Sequence, residues 1–412
     1  MKINLNKNLR IYYHKITQSI AFYPAFIATG FLLLSWIMIE LDFSEWGKEL
    51  KSSFSWLRLK DANTARSIIS TIGGAIISLT VFSFSMVMIV LNQAASQMSN
   101  RVLSSMIGNR FQQTVLGFYI GTIVYALFLL STIRDVTSGI HVPALSIYLL
   151  ILLTVVDIFL FIYFLDYVTQ TVKYETVINR VQTKTIKNIN EKCQRDKEYK
   201  ITWSELPYLT IKIEQSNYFQ GFDEKKLLQI ASQEDIYITF LYQQSSFLLE
   251  GVPFLKVHGK KLIDEETISN IRSAIYFYSG QPIDQNIDYG FKQLSEIAIK
   301  ALSPGINDPG TAVIALNALA NLFCYRLYNN CPEIRMDKNE VVRIYVPISS
   351  FKELFENCIH PIWKYGKKDQ YIQNKMLNIL DQLKMIDTKK KHTQLFTLLY
   401  DAVQKEIDRA IL

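Results

Sequence analysis

The sequence predicts an α-helical membrane protein, with about four transmembrane helices followed by a cytosolic α+β domain (a small β module plus a helical bundle). Three observations predict it. Four long runs within the first 170 residues carry almost no charge. Residues 1–169 hold 12 Lys+Arg and 8 Asp+Glu, against 32 and 29 in residues 170–412. Beyond residue 170, apolar residues recur at strand and helix spacings instead of in unbroken runs. Hydrocarbon excludes charge, so the sparse part reads as a membrane block and the dense part as a water-exposed one. This divides the chain into a transmembrane domain at 1–169, a β-rich module at 170–262 and a mainly helical module at 263–412.

A helix needs about 20 residues to cross a bilayer. Spans are therefore expected at 16–39, 67–91, 114–132 and 140–165. The first follows Lys2, Lys7, Arg10 and Lys15, as a signal peptide would, but it is too long for a signal core and no small-residue cleavage site follows. It reads as a retained span. An even number of spans puts both termini on one side. The basic N-terminus, Arg101, Arg110 and the Lys-rich start of the second half favour the cytoplasmic side of the plasma membrane. The first outer loop is also basic (Lys48, Lys51, Arg58, Lys60, Arg66), but it shares Asp42, Glu45, Glu49 and Asp61.

The second span differs chemically from the others. Thr71, Ser78, Ser85, Asn92 and Ser99 recur every seven residues, nearly two helical turns, so they share one face. Ser70, Gly73 and Gly74 add small residues beside them. Such a face packs against a neighbouring helix, where small residues allow close approach. Alternatively, it lines a pore when several subunits present it to a common axis. The amide-rich stretch after it, 92–113, is expected to continue as a helix and then turn at Gly108-Asn109, as a hairpin or as a vestibule. Asp157 interrupts the fourth span. A carboxylate is costly in lipid, so it should face the bundle interior, as a hydrogen-bonding group or as a proton or ion site. Arg134-Asp135 reads as an interfacial pair.

A helix continuing the fourth span is expected from 168 to about 190. Strands are expected at 209–213 and 236–242, with a helix at 223–233 between them. Residues 247–257 read as a hairpin turning at Glu250-Gly251. This resembles small carrier modules, but the Met-Lys-Met turn that carries a covalent group is missing, so no cofactor is expected. Helices follow at 265–273, 291–302, 312–328, 351–363, 371–384 and 394–412, with a possible strand at 274–278. Asp308 before Pro309 suits a helix N-cap with proline at the first helical position. The corner from Ser303 to Thr311 is either a tight helix connection or a ligand site using Ser303, Asn307 and Asp308. Cys193, Cys324, Cys331 and Cys358 form no C-x-x-C pair and read as reduced thiols. The five histidines have no ligand spacing, so no metal is expected.

Three stretches carry a resemblance to a known group. They are Val81-Phe82-Ser83 with Ser96 to Leu103 and Gln113 to Gly117; 247–257; and Asp288-Tyr289-Gly290-Phe291-Lys292-Gln293-Leu294 leading into 300–312. On these the chain is identified as a member of the bacterial predicted membrane proteins of domain of unknown function 2254. Asn100 stands where the family usually has Pro, and Gln281-Pro282-Ile283-Asp284 lacks its usual Arg. The resemblance implies a bacterial membrane location and supplies no activity.

The net charge of +7 forms no basic stripe, so nucleic acid is not an expected partner. No nucleophile elbow, H-E-x-x-H or phosphate-cradling motif is present, so the chain is not expected to be an enzyme. The bilayer is one partner and further copies of the chain are another; the ligand is unknown. The leading expectation is a homo-oligomeric channel lined by the second span and regulated by the cytosolic domain. The alternative is a membrane-anchored sensor or scaffold that binds a ligand or protein through that domain. A transporter working through Asp157 is a third.

Overall fold

A computed structural model describes residues 21–53, 61–97, 110–133, 142–193, 203, 205–260, 262–278, 286–329 and 331–411. Ser99, the elbow at Gly108-Asn109, the Arg134-Asp135 pair and the 281–284 stretch lie outside these. The chain divides into two compact units that meet in sequence at Lys173 and Tyr174.

The first unit is built from α1 (Phe22–Phe43), the short α2 (Glu45–Ser53), α3 (Ala62–Gln97), α4 (Arg110–Thr132) and α5 (Ala144–Thr171). All but α2 are long and apolar enough to cross a membrane. Large apolar side chains such as Phe26, Leu33, Phe84, Leu127, Phe159 and Ile162 point outward. That is the burial pattern of helices whose surroundings are apolar, since lipid removes the penalty for exposing them. At 1.5 Å per residue α3 is about 54 Å long, well beyond a hydrocarbon core of about 30 Å. This agrees with the expected helical continuation of the second run.

Two glycines one turn apart set the packing of α1 on α4. A Cβ at Gly117 would lie 2.7 Å from Ile27 Cδ1 and 3.1 Å from the Pro24 Cα, and one at Gly121 would lie 2.7 Å from the Phe31 ring. Gly117-x-x-x-Gly121 is thus a small-residue notch filled by α1 of the same chain. A second tie joins the end of α1 to the start of α5. Asp42 is fully buried, and its carboxylate accepts from Leu145 N (3.1 Å), Ser146 N (2.8 Å) and Ser146 Oγ (2.7 Å). Lys51 Nζ reaches the same carboxylate at 3.1 Å and the Asp42 carbonyl at 2.6 Å. A carboxylate here satisfies helix N–H groups that have no partner inside α5 and faces the positive end of its dipole.

The second unit opens on α6 (Tyr174–Lys192), separated from α5 by a break at Val172–Lys173, so the expected continuous helix is two. It contains a five-stranded sheet ordered β1 (Tyr208–Lys212), β5 (Pro253–His258), β3 (Tyr237–Phe240), β8 (Val342–Tyr345) and β7 (Ile334–Met336). Only the β3–β8 pairing is parallel. A three-stranded sheet is ordered β4 (Phe247–Leu248), β2 (Asn217–Phe222) and β6 (Ile275–Phe277). The expected hairpin at 247–257 is therefore not one. Its two strands flank a turn with Gly251 at φ +80°, but β4 pairs with β2 while β5 sits between β1 and β3. Alternation in one strand fixes which face is buried, not which strand it pairs with.

Helices α7 (Glu224–Gln233) and α8 (Glu265–Ser273) cover the sheets around a core that includes Phe219, Leu227, Phe240 and Phe254. The remaining helices are α9 (Asp288–Ala301), α10 (Pro309–Tyr328), α11 (Phe351–Gly366), α12 (Gln370–Ile386) and α13 (Thr393–Ile411). Because β7 and β8 complete the sheet begun by β1, β3 and β5, the chain does not separate at 262/263 as expected; Tyr174–Leu412 forms one unit. The fifth helix apolar and long enough to span a membrane is α10, and more than half of its apolar stretch is buried.

The cysteines need a correction. Cys193, just past α6, is disulfide-bonded to Cys331, just before β7, while Cys324 and Cys358 are free. The two half-cystines are 138 residues apart in sequence, so no spacing rule could pair them.

Candidate functional site

The four described members of the seven-residue series, Thr71, Ser78, Ser85 and Asn92, are all exposed. None is buried against another described helix of its own unit. The buried residues of α3 lie on the opposite side, from Ala65, Ile69 and Gly73 through Ile76 to Ser83. Ser67, Gly74, Val81 and Met88 fill the alternate positions of the same seam and are also exposed. The seam thus has the a/d spacing of a helix–helix interface without a partner among the described residues. A Cβ at Gly74 would meet nothing within 4 Å, in contrast to the filled notch at Gly117 and Gly121. Ser78 satisfies its own hydroxyl by donating to the Gly74 carbonyl at 3.0 Å.

Asp157 is fully buried in the bundle interior, as expected of a carboxylate in an apolar run. Three other buried polar groups lie with it: Thr122 and Tyr119, one turn apart on α4, and Ser83 on α3. Sequence reading expected a Ser or Tyr of another span beside Asp157 but named none of these. Ser83 is out of phase with the exposed series, and that offset was the available signal.

In the second unit the corner between α9 and α10 consumes its own polar groups. Asp308 caps α10, with Oδ1 accepting from Thr311 N at 3.1 Å and Oδ2 from Thr311 Oγ1 at 2.5 Å. Ser303 Oγ donates to the Lys300 carbonyl at 2.6 Å, and Asn307 takes φ +49°, a conformation asparagine tolerates. Pro309 is the first helical residue, as its position after Asp308 suggested. Ser303, Asn307 and Asp308 are brought together, but as a tight connection.

A richer polar arrangement surrounds the start of α9. Asp288 N donates to Asn286 Oδ1 at 2.9 Å, and the Asn286 amide donates to the Gln244 carbonyl at 3.3 Å and to Ser245 Oγ. Ser349 Oγ donates to Asp288 Oδ2 and has Gln243 Oε1 3.1 Å away. Burial pushes the Asp288 carboxyl above the usual carboxylate range, against the pull of Ser349, Lys292 and Arg326. An open cleft here is lined by Gln243, Asn286, Asp288 and Ser349 together with Arg326 and Arg335. The Asp288-Tyr289-Gly290 stretch was legible as a motif, but its partners come from three other segments.

Long apolar helices with outward-facing hydrophobic side chains, joined to a sheet-containing unit, define a multi-pass membrane protein. The chain belongs to the family described as Predicted membrane protein (DUF2254), whose match covers residues 17–382. It is 23% identical over 333 residues to an uncharacterized protein of Mycobacterium bovis and, likewise, to uncharacterized proteins of two Mycobacterium tuberculosis strains. The match covers 77% of this chain and 63% of each relative, so the chain spans less than two thirds of their length. No solved structure matches.

Proposed function

We propose that the chain is a subunit of a homo-oligomeric channel, in which four helices span the plasma membrane and the exposed face of α3 meets its copies around a conducting axis. The observation that supports this reading is the seam. Eight positions from Ser67 to Asn92 at a/d spacing are all exposed, and five of them (Ser67, Thr71, Gly74, Ser78 and Ser85) carry small or hydroxyl side chains where lipid-facing positions of α1 and α5 carry Phe, Leu and Ile. An anchor needs no such face. Both termini lie in the cytoplasm in this reading, on the strength of the basic flanks. The second unit is then cytosolic and regulatory, and Cys193 and Cys331 would pair there only under oxidising conditions. The reading assigns no catalytic step.

Gly74→Leu is expected to separate the subunits, shifting detergent-solubilised protein to the monomer mass and abolishing ion flux in proteoliposomes. Phe159→Leu, on the exposed face of α5, is the matched control and should leave both unchanged. Unaltered stoichiometry and flux in Gly74→Leu would refute the seam as the interface. A wild-type protein that carries no ion flux would refute the channel.

A second reading, a membrane-anchored sensor, is favoured by the cleft at the start of α9 and not by the Ser303–Asp308 corner. Two guanidinium groups line the cleft beside amide side chains, a set that suits a carboxylate or phosphate, which would compete with the Glu224 carboxylate now 3.0 Å from Arg335 and the Asn329 carbonyl 2.8 Å from Arg326. Inorganic phosphate should then raise the thermal unfolding midpoint, and Arg335→Ala should remove that response; a midpoint indifferent to phosphate and other small anions would sink this reading.

A further inference from the structure

Four polar side chains from three helices meet inside the first unit without a hydrogen bond of normal geometry between them. Asp157 on α5 and Tyr119 and Thr122 on α4 are each 0% exposed, and Ser83 on α3 is 2% exposed. Neither Asp157 oxygen, nor Thr122 Oγ1, Tyr119 Oη or Ser83 Oγ, has a hydrogen-bond partner of normal geometry among the described residues. Yet they are neighbours. Thr122 lies beside the Asp157 carboxyl, Ser83 lies beside the Tyr119 phenol, and Tyr119 is within electrostatic reach of Asp157.

A buried carboxylate left in this state costs several kcal/mol. Buried polar groups are almost always partnered, so five unpartnered oxygens at one place point to something bound between them. Water would supply hydrogen bonds but no charge. The charge has no internal source: residues 67–91, 114–132 and 142–165 contain no Lys, Arg or His. Of the titratable groups, Tyr119 is the one facing Asp157 from α4. Asp42 is taken up at the start of α5, eleven residues or about 17 Å along the helix from Asp157. One carboxylate balances one positive charge, and hydroxyl and carboxylate oxygens are hard ligands, so a divalent or soft metal does not fit.

We propose that Asp157, with Thr122, Tyr119 and Ser83, forms a buried site for one monovalent cation, a proton or a sodium ion. All four side chains belong to one chain and lie on the inner side of the bundle, whereas the α3 seam lies outside it. The site therefore stands whether or not the subunits assemble.

The test uses the full-length protein in detergent, with thermal unfolding in sodium chloride against choline chloride at equal ionic strength. Infrared spectroscopy at neutral pH reports a protonated carboxyl. Sodium occupancy is expected to show as an unfolding midpoint that rises with sodium in the wild type and not in Asp157→Asn. Proton occupancy is expected to show as a carboxylic acid carbonyl band that disappears in Asp157→Asn, with no sodium response. Ser83→Ala, which keeps the charge and removes one oxygen, should shift the sodium midpoint or the pH of the band roughly tenfold in ion concentration. It serves if Asp157→Asn fails to fold. An ionised Asp157 together with a stability indifferent to sodium would overturn the proposal.

Discussion

Asp42→Ala is expected to be the most destabilising single substitution in the first unit, costing about 3 kcal/mol or more. The carboxylate is fully buried and accepts three hydrogen bonds from Leu145 and Ser146 at the start of α5. Its removal leaves two helix N–H groups and a hydroxyl unsatisfied and strips Lys51, only 19% exposed, of its counter-charge. Loss of a neutral cap alone costs about 1 kcal/mol. The excess over that measures the charge and burial. Asp42→Asn keeps an acceptor while losing the charge, so it should fall between alanine and wild type. Ser146→Ala removes one hydroxyl and should cost roughly 1 kcal/mol. Thermal or denaturant unfolding in detergent reads all three, and an Asp42→Ala protein as stable as wild type would show that the tie between α1 and α5 does not hold the bundle.

Gly290→Ala is expected to carry the largest effect in the second unit for a change of one methyl group. A Cβ there would lie 1.9 Å from Thr185 Oγ1 and 2.9 Å from Thr185 Cβ and Cγ2. Thr185 is fully buried on α6, and its hydroxyl is committed to the Val181 carbonyl at 2.7 Å. It cannot swing away, so α6 and α9 must move apart. Overpacking of this kind costs about 1–3 kcal/mol. Thr185→Ala removes two of the three close atoms, so the Gly290→Ala/Thr185→Ala pair should recover part of the loss. The two substitutions together should then cost less than the sum of their separate effects, with a coupling of at least about 0.5 kcal/mol. Strictly additive effects would mean that the two helices do not approach through this glycine.

Both predictions rest on residues whose importance was invisible in sequence. Asp42 read as one of four acids in a loop, because its partners at Leu145 and Ser146 lie more than 100 residues away. Gly290 stood within a recognisable stretch, yet nothing in that stretch names Thr185. The hydroxyl series of α3 was legible as a periodicity. Periodicity alone cannot say whether a face packs within its own chain, since a buried and an exposed seam have the same spacing. Among the described residues that face is left exposed while the glycine notch of α4 is filled. The Ser303–Asp308 corner went the other way. Its residue types suit a ligand site and a helix cap equally, and only the hydrogen bonds of Thr311 and Lys300 show the cap.

The long apolar runs, the capped helices after residue 264 and the interior placement of Asp157 were determined by the sequence, because each follows from local composition or from the cost of charge in hydrocarbon. Strand pairing was decided by the tertiary structure, as was the Cys193–Cys331 bond, the Asp288–Arg326 cleft and the gathering of Ser83, Tyr119 and Thr122 around Asp157. These depend on which distant segments meet. Side-chain patterning specifies which face of an element is buried, and leaves its partner to the packing of the whole chain.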